Sequence, residues 1–392
     1  MQSAARFDFD RLIDRRCSDS DKWLRYPADV LPMWVADMDF PCPPALLEHL
    51  QAVLEQGVLG YGVARPAALL ELLCERLWRL YRWRVQPDEV LLLPGLVCGL
   101  NLVSRAIGQP GDEVLIQTPV YPPFMSAPRN QERTPRCVPL HASWRNGHLH
   151  YAPDLDALAA AIGPRTRLFL LCQPHNPVGR VFDAGELTAL AELCARHDLV
   201  ICSDEVHGEL LLGDSRHQPL AALSPEIARR TVTLLAPSKT FNIAGLGASF
   251  AIVPDAELRR RLERTAAGIV PQVNLLAVAA AEAAYRYGDE WLAELRRYLT
   301  ANCDFLLGYL AEHLPLLGCT RPEATYLAWI DCRQAGIAGN PQRFFLERGK
   351  IALNDGATFG PGGEGFVRLN FGCPRVLLEQ GLERMRTALA TR

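Results

Sequence analysis

Residues 231–246 read TVTLLAPSKTFNIAGL, an apolar run followed by one charged residue, Lys239, among mostly small or apolar neighbours. The run 231–235 has the composition of a strand that is buried on both faces of a sheet. Lysine is almost never fully buried unless something pairs with it, so an amine at this position needs a chemical reason. In an open α/β sheet, ligands bind beyond the carboxyl ends of the strands, which is where Lys239 falls.

The rest of the chain continues this alternation of short apolar runs and helical patterns. Strands are predicted at 89–93, 113–117, 136–140, 167–172, 199–203, 231–235 and 248–253. Helical patterns lie between them, as in DAGELTALAELCARHDL, where Asp183 is the expected N-cap and Glu186 its capping-box partner. The pattern predicts an α/β fold with a mainly parallel seven-stranded sheet sandwiched by helices.

The pattern changes near residue 285, where a long helix precedes strands such as TYLAWID and FVRLNF, separated by Gly-rich turns. We therefore expect a large domain over 46–285 and a smaller α+β domain over 286–392. The N-terminal segment 1–45 is expected to join the small domain.

Composition excludes several classes of function. The 392 residues include 41 basic and 44 acidic side chains, and no block of like charges suggests binding to nucleic acid or to a membrane surface. No stretch approaches the ~20 apolar residues of a membrane span, and the N-terminus lacks an apolar core of signal-peptide length. We expect a cytoplasmic protein.

The cysteines and histidines give no metal motif. Twelve cysteines are scattered along the chain without a CxxC pair, which favours reduced thiols. His141, His148 and His150 surround the sequence NG, and a turn between two short strands is favoured there over a metal site.

Chemically informative residues follow several of the predicted strands. They are Tyr121 in TPVYPPF, Asn176 in QPHNPVG, Asp204 in SDEVHGE, and Ser238 with Lys239. The helix that begins in PGLVCGLNLVSRA adds backbone amides and a positive dipole end, which suit a phosphate. Pyridoxal phosphate needs this set: a lysine for its aldehyde, a carboxylate for its ring nitrogen, a stacking partner and an amide-rich helix start.

The chain resembles fold-type I pyridoxal-phosphate enzymes of the class I/II aminotransferase superfamily over nearly its whole length. Within them, four segments in order resemble the cystathionine β-lyase type of carbon-sulfur lyase: LPMWVADMDF, SDEVHGELL, APSKTFNIAGL and FVRLNFGCPR. One position departs from the wider superfamily. Many aminotransferases carry a phosphate-binding Arg eight residues after the Schiff-base Lys, and here that position is Gly247.

The resemblance implies a role for each matched residue. Lys239 would hold the cofactor and move protons, and Arg368 would bind the substrate carboxylate. Asp204 would pair with the ring nitrogen, Asn176 would bond the phenolic oxygen, and Tyr121 would stack on the ring and assist proton transfer. The phosphate would be held by the amides of Leu96 and Val97 and the Ser238 hydroxyl, with help from Tyr61 of a neighbouring subunit. Such sharing implies a homodimer.

Structural alternatives accompany these roles. Asp204 could be a helix N-cap and Asn176 a turn residue. For His207, a half-buried structural histidine and a cofactor neighbour are equally favoured, and the run FGPGGEGF is better explained as a turn-rich loop than as an anion cradle.

Two reactions remain open. The first is α,β-elimination from L-cystathionine or a related S-substituted L-cysteine, which gives a thiol, pyruvate and ammonia. The second is transamination of an amino acid. A third reading, an interaction protein, would leave Lys239, Asp204 and Arg368 without a purpose.

Overall fold

The structure is a computed structural model and describes residues 7–391. Its strands are β1 (Leu31–Pro32), β2 (Val90–Leu93), β3 (Glu113–Thr118), β4 (Thr134–Pro139), β5 (His141–Arg145), β6 (His148–Ala152), β7 (Thr166–Cys172), β8 (Val200–Asp204), β9 (Thr231–Leu235), β10 (Ser249–Ile252), β11 (Gly318–Cys319), β12 (Leu327–Asp331), β13 (Ile351–Ala352), β14 (Asn354–Asp355) and β15 (Phe366–Asn370). Its α-helices are α1 (Asp21–Leu24), α2 (Pro44–Glu55), α3 (Ala67–Tyr81), α4 (Leu96–Ala106), α5 (Pro123–Asn130), α6 (Leu155–Ala161), α7 (Ala184–Arg196), α8 (Pro225–Ala228), α9 (Pro237–Thr240), α10 (Ala256–Ala266), α11 (Leu275–Tyr287), α12 (Asp289–His313), α13 (Pro341–Gly349) and α14 (Arg375–Ala390). Short 3-10 helices cover Arg15–Cys17, Pro87–Glu89, Leu220–Ala222, Ala244–Leu246 and Gly356–Phe359.

The central sheet holds seven strands in the order β2-β10-β9-β8-β7-β3-β4. Strand β10 is antiparallel to both of its neighbours, and the remaining pairs are parallel. The predicted α/β class and all seven predicted strands are therefore confirmed. The strand predicted at 136–140 begins earlier, at Thr134, because β4 is an edge strand in which exposed residues alternate with partly or fully buried ones, which gives a weak apolar signal.

Both faces of this sheet are covered, as β7 illustrates. Leu168 and Leu170 point into one apolar cluster, and Phe169 and Leu171 point into another on the opposite face. Burial of each such side chain contributes roughly 1.5–3 kcal/mol. The strands thus form a rigid base, and their polar carboxyl ends are held in fixed positions.

A second, four-stranded antiparallel sheet has the order β11-β12-β15-β14. Strand β1 pairs in parallel with β13, which ties the N-terminal part of the chain to this C-terminal region. The pairing agrees with the predicted domain division, which stays a prediction. Residues 1–6 of its first segment and residue 392 of its last lie outside the described residues.

Several local predictions are confirmed. Helix α7 begins with the capping box, in which the Glu186 N–H donates to Asp183 Oδ1 at 2.8 Å and the Asp183 N–H donates to Glu186 Oε2 at 2.9 Å. The three clustered histidines lie in the β5–β6 hairpin, whose turn residues Asn146 and Gly147 both have positive φ, as a two-residue hairpin loop requires. FGPGGEGF forms consecutive turns. Within residues 7–391, no helix combines the length and apolarity needed to cross a membrane.

Candidate active site

A cavity of about 580 Å³ lies where the carboxyl ends of β7, β8 and β9 face β15 of the smaller sheet. The predicted site residues that line it are Leu96, Val97, Tyr121, Asn176, Asp204, His207, Ser238, Lys239 and Arg368. Tyr61 is the one predicted site residue that does not line it. Other lining residues include Trp34, Ala36, Cys98, Gly247 and Asn354.

Lys239 lies on the short helix α9, just beyond the end of β9. Its Nζ donates a hydrogen bond to the Ala36 carbonyl oxygen at 2.8 Å. Burial lowers the pKa of Lys239, and the positive charge of Arg368 acts in the same direction, whereas Asp37 and Asp204 oppose the shift. A lowered pKa favours the neutral amine, which is the nucleophilic form.

The other two lysines of the chain are committed elsewhere. Lys22 is buried and forms an ion pair with Asp39 at 2.6 Å. Lys350 has a largely exposed side chain and pairs with Asp29 at 3.5 Å. All three lysines of the sequence are among the described residues, and Lys239 is the one that lines the cavity.

Asp204 is the last residue of β8, and only 5% of it is exposed. Its Oδ1 accepts a hydrogen bond from the Val206 N–H at 3.2 Å. Burial raises the pKa of Asp204 to about 7, the nearby Glu205 carboxylate adds to the rise, and the Val206 N–H and Lys239 oppose it. A cation at this position, such as a protonated pyridine nitrogen, would stabilise the carboxylate.

Arg368 extends from β15 and is held from three sides. One terminal nitrogen donates to Asn176 Oδ1 at 3.0 Å, and the other donates to the Trp34 carbonyl at 3.0 Å and to Asn354 Oδ1 at 2.6 Å. Burial lowers the pKa of Arg368 to about 10, so the guanidinium stays charged at neutral pH. The planar fork is thereby pre-oriented for a carboxylate.

Tyr121 and His207 complete the walls of the cavity. The Tyr121 N–H donates to the Asn176 carbonyl at 3.1 Å, which ties together the loops that follow β3 and β7. Burial lowers the pKa of His207 to about 3, and Lys239 and Arg368 act in the same direction, so the imidazole is neutral. Its ring packs edge-on against Tyr326, with the centroids 6.2 Å apart.

The start of helix α4 faces the cavity through Leu96 and Val97. Its unpaired amides and positive dipole end provide a site for an anion. Gly247 lies opposite, with φ of 69°, and a Cβ atom there would come within 2.7 Å of the Pro94 carbonyl oxygen. An arginine therefore does not fit at position 247, and an anion in this part of the cavity must be held by α4 and by side chains such as Ser238.

Tyr61 lies in the segment between α2 and α3 and is fully exposed. Leu59 and Val63 beside it are also exposed, which is unusual for so many apolar side chains in one short segment. The position is compatible with contact to a second copy of the chain. Tyr61 is not among the described residues that line the cavity of its own chain.

The segment 34–37 was not assigned a role from the sequence, although it lies in the matched motif LPMWVADMDF. Its successive carbonyls are bound by different side chains: Trp34 by Arg368, Val35 and Asp37 by Asn370, and Ala36 by Lys239 and Tyr326. Every residue type has the same backbone carbonyl, so the sequence could indicate this segment only through the matched motif. Asn354 was missed because its place is set by strand register, which puts it opposite Arg368.

The residues fit pyridoxal phosphate. Two buried polar atoms of the cavity, Arg368 Nε and His207 Nδ1, have no partner in the described part of the chain. Such atoms are rare in folded proteins and indicate that a ligand or water completes the site. The amine of Lys239, the carboxylate of Asp204 and the anion-binding start of α4 are the groups that this cofactor requires.

The fold and the cavity together define a protein of the fold-type I pyridoxal-phosphate class. The family model for aminotransferases of class I and II matches residues 28–385, and the chain belongs to that family.

Full-length relatives place the chain near carbon-sulfur lyases within the family. Cystathionine β-lyase PatB from Bacillus subtilis (strain 168) is 39% identical, with 98% of this chain and 100% of PatB covered. The solved structure of the pyridoxal-phosphate-bound C-S lyase from Staphylococcus hominis is 29% identical, with a TM-score of 0.92 and with 98% of this chain and 99% of that chain covered. The solved structure of OvoB is 42% identical, with a TM-score of 0.93 and with 98% of this chain and 100% of that chain covered.

Proposed function

We propose that this protein is a pyridoxal-phosphate-dependent carbon-sulfur β-lyase. It eliminates a thiol from L-cystathionine or a related S-substituted L-cysteine, and water hydrolyses the remaining three-carbon fragment to pyruvate and ammonia. The observation that carries the proposal is the cavity in which Lys239, the one available lysine, lies with the buried Asp204 carboxylate. The full-length similarity to PatB supports elimination as the reaction type.

Pyridoxal phosphate bound in the cavity would supply an electron sink for the negative charge that develops at Cα of the substrate. In this proposal Lys239 holds the cofactor covalently, and Asp204 keeps its ring nitrogen protonated. Asn176 and His207 bond the ring substituents and Tyr121 stacks on the ring. The amides of Leu96 and Val97, with the Ser238 hydroxyl, hold the phosphate.

Arg368 orients the substrate by binding its α-carboxylate with the guanidinium fork. It is the only arginine among the described residues that line the cavity of its own chain.

Lys239 also handles the protons of the elimination. Freed when the substrate amine takes its place, Nζ would take the proton from the substrate Cα, and the same amine would then deliver a proton to the sulfur as the Cβ–S bond breaks. A single hydrogen bond to the Ala36 carbonyl holds this amine, so it can move between the two positions. Transamination, the second candidate, begins with the same Cα deprotonation.

We further propose a homodimer located in the cytoplasm, in which Tyr61 of each chain completes the phosphate site of its partner. The exposure of Tyr61 and of the apolar residues beside it supports the shared site.

The experiment that tests the proposed function is an assay of purified, cofactor-loaded protein with L-cystathionine. Pyruvate, ammonia and homocysteine should appear in equal amounts with wild-type protein and should be absent with Lys239→Ala. A protein that binds the cofactor but releases no thiol from cystathionine, L-cystine or S-alkyl-L-cysteines would refute the lyase assignment.

A further inference from the structure

A buried pair, Glu205 and His217, lies directly behind the cavity. Glu205 follows Asp204 in the chain, and its Oε2 lies 2.8 Å from His217 Nε2. Neither side chain has any exposure, and neither lines the cavity. The carboxylate also accepts hydrogen bonds on Oε1 from the Ser203 hydroxyl at 2.8 Å and from the Leu220 N–H at 3.1 Å.

The close approach of His217 depends on a glycine. A Cβ atom at position 208 would come within 2.7 Å of His217 Cδ2 and 3.0 Å of its Nε2. The Tyr81 ring packs edge-on against the other side of the imidazole, with the centroids 5.5 Å apart. The imidazole is therefore confined to the position from which it reaches Glu205.

Hydrogen bonding in this region leaves His217 as the ionisable partner of Glu205 among the described residues. The other acidic residue of the turn, Glu209, already pairs with Arg76, whose Nε donates to it at 2.9 Å. The Ser203 hydroxyl and the Leu220 N–H that bind Glu205, and the Tyr81 ring that contacts His217, are uncharged groups. Without His217, the buried carboxyl group next in sequence to Asp204 would have no ionisable hydrogen-bond partner among the described residues.

We infer that His217 is a positioning residue, which binds Glu205 and so keeps Asp204 ionised against the ring nitrogen of the cofactor. The inference rests on the proposed function, in which Asp204 binds that nitrogen. An uncompensated negative charge behind Asp204 would raise the proton affinity of its carboxylate. The proton that lies between this carboxylate and the ring nitrogen would then move toward Asp204. The ring would then be neutral and a weaker electron sink. The Glu205 carboxylate raises the pKa of Asp204, so the two carboxyl groups are close enough to interact.

The test uses holoenzyme reconstituted with pyridoxal phosphate that carries ¹⁵N in its ring. The ring-nitrogen resonance distinguishes the protonated from the neutral ring without any turnover. We expect His217→Phe, which preserves the ring packing, to move this resonance toward the neutral position and to raise the cofactor dissociation constant about tenfold. The double variant His217→Phe/Glu205→Gln should return toward the wild-type resonance, because the uncompensated charge is gone.

If His217 has a purely structural role, the ring-nitrogen resonance of the double variant should lie at least as far from the wild-type position as that of His217→Phe. That result, or an unchanged resonance in His217→Phe, would overturn the inference. If His217→Phe does not fold, Gly208→Ala gives a second test, since the added methyl group displaces the imidazole and should shift the resonance in the same direction. An unshifted resonance in Gly208→Ala would then overturn the inference.

The variant Asp204→Ala separates this inference from the proposed function. Its ring nitrogen must become neutral if Asp204 binds it at all. A protonated ring in Asp204→Ala refutes the proposed role of Asp204, whereas a neutral ring there, together with an unchanged His217→Phe, refutes only the role of His217.

Discussion

Lys239 Nζ donates a hydrogen bond of 2.8 Å to the carbonyl oxygen of Ala36, and the hydroxyl of Tyr326 donates to the same oxygen at 2.8 Å. The amine is therefore held at a defined position by a backbone acceptor. One such hydrogen bond has a net strength of only about 0.5–1.5 kcal/mol, or somewhat more for a charged donor. The N-terminal segment thus positions the amine and still allows it to leave for covalent chemistry.

Lys239 should be the residue that carries the cofactor. Borohydride reduction of the yellow protein, followed by peptide mapping, should label the peptide that contains Lys239. Lys239→Ala should carry no label and have no measurable turnover, because the covalent link and the proton carrier are both lost. The matched control is Lys350→Ala, which removes an exposed lysine and should behave as wild type. A label on Lys22 or Lys350 would show that the assignment is wrong.

Asp204 should make the cofactor-free protein less stable as pH rises. Burial raises the pKa of Asp204 to about 7 from its ordinary value of 3.8, so between these values the folded protein keeps a proton that the unfolded chain has released. The free energy of unfolding should fall by up to roughly 4 kcal/mol over about pH 4–7, relative to Asp204→Asn. Urea denaturation of both proteins across this range measures the difference.

The control for that measurement is Asp198→Asn, at a side chain that is fully exposed. Its stability profile should follow wild type. Parallel curves for wild type and Asp204→Asn would mean that Asp204 keeps an ordinary pKa in the folded protein, contrary to its burial.

Arg368→Lys should weaken substrate binding more than it impairs folding. A lysine ammonium cannot reproduce the guanidinium fork that Asn176 and Asn354 hold in place. The loss of a charge-assisted bidentate contact should raise KM about 10–100-fold. Arg343→Lys, at an exposed arginine on α13, is the matched control. A KM within twofold of wild type in Arg368→Lys would place the substrate carboxylate elsewhere.

Tyr61 should act across a subunit boundary, because it is exposed and lies outside the cavity of its own chain. Lys239→Ala and Tyr61→Ala chains should each be nearly inactive alone. Mixed and reassociated in equal amounts, they should recover about a quarter of wild-type activity, since half of the dimers are hybrids with one intact site. Verified hybrid dimers without recovered activity would contradict the shared site.

Much of the fold was predictable because buried parallel strands have a strong apolar signal. Runs such as 167–172 and 231–235 predict strands, and the topology of an open α/β sheet then places Asn176, Asp204 and Lys239 at one edge. The outer strand β4 was the least accurate prediction, since its residues alternate between exposed and partly buried.

The parts of the site that could not be predicted depend on long-range contacts. The Ala36 carbonyl meets Lys239 from 203 residues away, and no pattern in the sequence marks a backbone acceptor. Asn354 reaches Arg368 through strand register, and Glu205 finds His217 only because Gly208 leaves room for the ring. Such contacts follow from packing, which single-sequence patterns do not encode.

The most direct test of the central claim is the time course of pyruvate release from L-cystathionine with and without an added keto acid. Elimination regenerates the enzyme in each cycle, so we predict steady release over many turnovers with no keto acid present, and no acceleration when one is added. Transamination would leave the cofactor in its amine form after one cycle. Cystathionine consumption that yields no pyruvate, stops after one equivalent and resumes only when a keto acid is supplied would contradict the lyase assignment.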